Sequence, residues 1–247
     1  QPSGEWHMAT RSLRLPIAAS HRFYIGISLL IAVIAAMGFW RTYFGPLLAG
    51  IVDAPTVIHI HAAVYSGWVA LFAVQVMFAA TGQLALHKKL GTVGIWYGVA
   101  LIAVGLITAF SQFADRVEAG RIEEAQTRLL GPVTDMIVFP IFFGAAVWYR
   151  RNPELHKRLM LVATTTLLVA AAMRMSFLGE PLPRPTRILI WFSPILFGIA
   201  YDLIAKRTIH PAYIVGLAAL YLLSMRGAVV ETEGWLAFTG WLATLVS

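Results

Sequence analysis

The sequence has no cysteine. Disulfides, thiolate metal sites and thiol catalysis are therefore excluded. It is also poor in charge. Asp, Glu, Lys and Arg make up 13% of its 247 residues, against about 25% in a soluble domain. So few charges cannot cover the chain in water, and lipid is its expected solvent. It has no His-Glu-x-x-His zinc helix, no Gly-rich phosphate loop and no Gly-x-Ser-x-Gly elbow.

What is present is mostly apolar, 59% of all residues. Seven apolar runs cover residues 23–40, 57–80, 90–110, 129–149, 155–175, 188–205 and 212–225. Each approaches the ~20 residues that cross a bilayer. The fold class expected is an all-α polytopic membrane helical bundle of seven transmembrane helices. Segment 111–128, rich in both charge signs, reads as the longest loop. Pro140 and Pro194 fall inside runs and are expected to kink them. Residues 231–247 place Trp235, Phe238, Trp241, Leu242 and Leu245 at helical spacing, which predicts a C-terminal amphipathic helix in the headgroup layer. Residues 1–7 read as an expression remnant before Met8. This leaves 8–230 as the transmembrane domain and 231–247 as the interfacial tail. The seventh run has no lysine for a retinal Schiff base, and seven histidines are too few for an eight-histidine di-iron site.

The net charge is +7, but its basic residues lie between apolar runs. That pattern sets topology and argues against nucleic acid as a partner. Of the 19 Lys and Arg, eleven fall at the run ends that share a side with the N-terminus, and eight at the other ends. The positive-inside rule then predicts a cytoplasmic N-terminus in a bacterial inner membrane.

Leu86-His87-Lys88-Lys89-Leu90 recurs as Leu155-His156-Lys157-Arg158-Leu159, 69 residues later. Each pentapeptide opens a run from the expected cytoplasmic edge. Helical steps of three and four from His87 reach Gly91, Gly94, Gly98 and Gly105, a packing face containing a GxxxG pair. From His156 they reach Met160, Ala163, Leu167, Ala170 and Arg174. If the third and fifth runs face each other, the two histidines meet at one depth. Two facing imidazoles beside small residues suit a b-type haem, with Lys88, Lys89, Lys157 and Arg158 near its propionates. They also suit a single transition metal ion. The plain alternative is a pair of hydrogen-bonding histidines at helix starts.

A second polar group lies near the opposite edge: His59, His61, Asp135 and Arg174. Intramembrane ionisable residues are costly and mark functional candidates. His59 and His61 point about 200° apart on a regular helix, so they share a ligand only if the helix starts between them. His61 aligns with Tyr65, Trp68, Phe72 and Gln75, a stripe expected to face the bundle. Asp135 and Arg174 are the expected ion pair. A metal at His59, His61 and Asp135 is the alternative.

His-Ile-His-Ala-Ala-Val-Tyr-Ser-Gly-Trp (59–68), Leu-His-Lys-Lys-Leu-Gly (86–91) and Leu-His-Lys-Arg-Leu-Met (155–160) resemble a group of bacterial multi-pass membrane proteins of unassigned function. More loosely, the paired histidines are similar to those of b561-type cytochromes and haem-copper oxidase assembly proteins. That likeness implies at most one bis-histidine haem, because the opposite side lacks a second helix with a histidine. The function expected is that of a membrane redox protein holding one haem or metal ion, with a quinone, a lipid or a redox protein as candidate partners. The alternatives are binding or transport of a small apolar or amphipathic molecule, or a non-catalytic subunit or assembly factor. No catalytic residue is identified.

Overall fold

The computed structural model describes residues 17–246, with side chains from residue 20 onward. Residues 1–7, Arg11 and Arg14 lie outside the described residues. Helix α1 (Ile17–Phe39) runs through a π-helical turn (Trp40–Phe44) into α2 (Gly45–Leu48). There follow α3 (Thr56–Ala80), α4 (Leu84–Glu118), α5 (Ile122–Trp148), α6 (Pro153–Thr166) and α7 (Val169–Met173). A ribbon of two short strands, β1 (Ser176–Phe177) and β2 (Glu180–Pro181), leads to α8 (Arg184–Lys206), α9 (Pro211–Met225) and α10 (Glu233–Ala243).

Seven helical stretches are long and apolar enough to cross a membrane, with α6 and α7 together forming one of them. The fold is an all-α helical bundle. Its short connections alternate between two faces. One carries the starts of α4, α6 and α9 and is called the basic face here. The far face carries the starts of α3, α5 and α8 and the helix α10.

Segment 111–128 is not a loop. Helix α4 continues to Glu118 and α5 starts at Ile122, so only three residues connect them. All the charges there but Arg121 are helical. Arg116, Arg121 and Arg128 all reach Glu124, at 3.6, 3.2 and 2.6 Å. On the inner side of these helix ends Phe113, Val117, Ala125 and Leu129 form a small apolar cluster with Ala243 of α10, and Trp235 packs against it. Trp235 Nε1 donates to the Gln126 carbonyl at 3.0 Å. Helices α4 and α5 outlast their apolar runs because α10 covers their extensions.

The run 155–175 is also not one unbroken helix. It breaks at Leu167–Leu168, between α6 and α7. Just before the break lie Thr164, Thr165 and Thr166, all fully buried. Thr166 Oγ1 turns back to the Ala163 carbonyl at 2.7 Å, and the buried Trp191 Nε1 donates to the Thr165 carbonyl at 2.9 Å. Side-chain donors thus engage backbone acceptors at the end of the helix, a recognised cause of helix irregularity. The rotation that would place His156 and Arg174 on one face is interrupted there. By contrast, α5 and α8 are continuous through Pro132, Pro140 and Pro194.

The glycine face of α4 packs as the helical spacing predicts, but against large side chains. A Cβ on Gly98 would overlap the Phe143 ring, and one on Gly105 would overlap Tyr65 and Met136. Helix α5 packs along both α4 and α6 and so lies between the two helices that carry the repeated pentapeptide.

Candidate functional site: two imidazoles at the basic face

His87 and His156 are each the fourth residue of their helix. Each ring folds back onto the preceding helix. His87 Nδ1 lies 3.2 Å from the Gln75 carbonyl oxygen, and His156 Nδ1 lies 2.8 Å from that of Ala146. A carbonyl only accepts, so each Nδ1 carries the proton and donates it. Each Nε2 then keeps its lone pair. Histidines that ligate metals are held this way, the non-ligating N–H donating to a carbonyl or carboxylate.

The two rings approach each other although their helices are separated by α5. Their centroids are 6.3 Å apart and their planes cross at 87°. The two imidazoles are thus close enough for one bound group to reach both.

Of the four nearby cations, two are committed elsewhere. Arg158 is fully buried and turns to α8, where Nε and Nη2 meet both carboxylate oxygens of the buried Asp202 at 3.0 and 2.5 Å. Its Nη1 donates to the carbonyl and the carboxylate of Glu154, both at 2.8 Å. Lys157 meets Glu154 at 2.6 Å, and Lys206 pairs with the same carboxylate. Four of the five Arg158 N–H groups are thus given to Asp202 and Glu154, and the side chain is fully buried on the α8 side. Lys88 and Lys89 are exposed beside His87 and have no carboxylate partner among the described residues.

Sequence reasoning missed this buried network. Asp202 is the single acid in the run 188–205, and an intramembrane carboxylate signals a partner. Tyr24 and Tyr213 close the network, their hydroxyls 3.1 Å apart. Arg158 lies over the Tyr213 ring and Lys157 over the Tyr24 ring, at 5.6 and 5.1 Å.

At the far face the expected residues do not converge. Asp135 pairs with Arg226, not with Arg174. Arg226 also donates to the Thr134 hydroxyl at 2.9 Å and the Gly131 carbonyl at 3.1 Å. Arg174 donates to the Ala170 carbonyl at 2.9 Å and lies over the Phe39 ring. The reason is the helix break, which separates Arg174 from the register of α6. His59 and His61 both fall inside α3, which starts at Thr56. They therefore diverge. His59 Nδ1 lies 2.9 Å from the Tyr43 hydroxyl, whereas His61 stacks on Tyr65 at 4.0 Å. No group of three or more His, Asp or Glu able to hold a metal occurs among the described residues.

The stripe below His61 does face the bundle. Trp68 and Phe72 are buried on it, and Trp68 meets Phe139 and Phe143 edge-on. His61 Nδ1, Trp68 Nε1 and Gln75 Oε1 are buried without a hydrogen-bond partner. No family model, curated protein or solved structure matches the chain.

Proposed function

We propose that this chain is an integral membrane redox protein holding one haem or one metal ion between His87 and His156. The observation that carries the reading is the paired tautomer. Both imidazoles spend Nδ1 on a backbone carbonyl, and the two rings lie 6.3 Å apart, so His87 and His156 would hold the group between them through Nε2.

Two imidazoles alone leave most transition ions short of ligands. Haem iron is already ligated by its macrocycle, and His87 and His156 would complete its ligand set, so haem is favoured over a bare ion. Bound between two histidines, it supplies one-electron transfer. Lys88 and Lys89 are the cations free to meet its propionates, and Gly91, one turn beyond His87, keeps that side of α4 small. A Cβ there would meet only the Gln75 side-chain amide, at 3.3 Å. The resemblance read from segments 59–68, 86–91 and 155–160, and the excess of basic residues on this face, support a place in a bacterial inner membrane with the basic face in the cytoplasm. A quinone or a redox protein is then the expected electron partner.

The test is an optical spectrum of the purified full chain together with elemental analysis. A Soret band with one iron per chain supports haem. One stoichiometric metal without that band supports the bare ion. Neither band nor metal, after expression with haem and metals supplied, overturns the proposal.

A further inference from the structure

The far face holds a feature that the histidine pair leaves unused. A cleft of about 290 Å³ opens there between α5, α7, α8 and α9. Its interior is apolar, formed among others by Leu130, Ile188, Trp191 and Leu223, and its rim carries Arg128, Arg184 and Arg226. A more open groove of about 550 Å³ adjoins it and shares Arg184, Ile188 and Ser224.

The rim arginines are not equally committed. Arg128 pairs with Glu124 and Arg226 with Asp135. Arg184 is exposed and donates only to the Ser224 carbonyl, at 3.1 Å. One helical turn on, Arg187 donates from Nη1 to the carbonyl of Met173, a residue of the cleft wall, at 2.7 Å. Arg187 Nε is buried and has no hydrogen-bond partner among the described residues. Neither Arg184 nor Arg187 meets a carboxylate among the described residues. They are three positions apart on α8 and therefore neighbours on one side of it.

An apolar cleft edged by Arg184, with Arg187 one turn along the same helix and neither meeting a carboxylate among the described residues, matches the chemistry of a lipid with a negative headgroup. Basic pockets between membrane helices recognise such headgroups, and guanidinium is the side chain that bonds phosphate bidentately. Ligand pockets run from about 300 to 1,000 Å³. At 290 Å³ this cleft has room for the upper part of one acyl chain, and the adjoining groove of about 550 Å³ extends that room.

We propose that the cleft binds an anionic phospholipid of the leaflet at the far face, with its phosphate on Arg184 and Arg187 and an acyl chain over Ile188 and Trp191. This reading does not rest on the histidine pair.

The test uses the full chain purified in a neutral detergent and titrated with phosphatidylglycerol or phosphatidylcholine of identical chains. Bound lipid is counted by native mass spectrometry. The wild type is expected to prefer phosphatidylglycerol. Arg184→Gln with Arg187→Gln is expected to weaken phosphatidylglycerol binding by roughly 30-fold, from the typical contribution of two surface arginines, and to leave phosphatidylcholine binding unchanged. Ile188→Trp, which fills the cleft and keeps both charges, is expected to weaken phosphatidylglycerol binding as well. Equal binding of the two lipids by the wild type overturns the proposal. So does full retention of the preference in the double arginine variant, or undiminished phosphatidylglycerol binding by Ile188→Trp.

Discussion

Two arginine–aspartate pairs hold the bundle, one at each face, and they are built differently. Arg158 and Asp202 at the basic face are sealed, with exposures of 0% and 1%. Each guanidinium nitrogen has an acceptor, and the pair joins α6 to α8 beneath the Tyr24–Tyr213 contact. Arg226 and Asp135 at the far face keep 21% and 13% of their surface and border a cleft. The basic face thus uses charge to fix its helices. The far face leaves guanidinium groups over, and these are what a ligand can use. Because Arg158 is turned to Asp202 and Glu154, Lys88 and Lys89 are, among the described residues, the cations of the repeated pentapeptides without a carboxylate partner.

Breaking the sealed pair should have the largest effect. Asp202→Ala leaves Arg158 charged and buried with one partner fewer, which costs about 3–5 kcal/mol for a buried pair. Thermal unfolding in detergent checks this, and a variant as stable as wild type would show that the pair is not structural. The far pair should cost less. Asp135→Asn keeps the shape and removes the charge, at about 1–3 kcal/mol. Its unfolding should be followed beside that of Asp202→Ala, and an equal or greater loss would cancel the contrast between the faces.

The smallest effect concerns pH. His210 lies just outside α9, and its Nδ1 accepts from the Ala212 amide at 3.2 Å, capping the helix. Burial first, and then the Arg158 charge, lower its pKa from the ordinary histidine value. A histidine depressed in the folded state is protonated first in the unfolded one. Its contribution is therefore fully present above about pH 6.5 and is lost as pH falls through the folded value. The melting temperature should decline over that window, by an amount worth less than about 1 kcal/mol for one cap. In His210→Asn, which retains a capping oxygen, this part of the decline should vanish. An unchanged slope would place the titration elsewhere.

Much of the architecture was legible because lipid imposes simple rules. Apolar runs of spanning length gave seven helices, and the basic residues between them gave their alternation. The approach of His87 and His156 was legible too, since the same pentapeptide opens both helices from one edge. Helix ends were not. The extensions of α4 and α5 carry mixed charges that look like a loop, and only the packing of α10 and the arginines around Glu124 keep them helical. Partner choice was also hidden. Arg158 finds Asp202 44 residues on, and Asp135 finds Arg226 91 residues on, distances at which spacing along one helix says nothing. The break at Leu167–Leu168 was hidden as well, and it takes Arg174 out of the register of α6. Three adjacent threonines were its one visible sign.

The most direct measurement is the metal or haem retained per chain by His156→Ala, set against His61→Ala and the wild type, after identical purification. Loss of the centre in His156→Ala, with wild-type content in His61→Ala, is the expected result. Equal content in all three proteins, or an empty wild type, would contradict a centre held between the two imidazoles of the basic face.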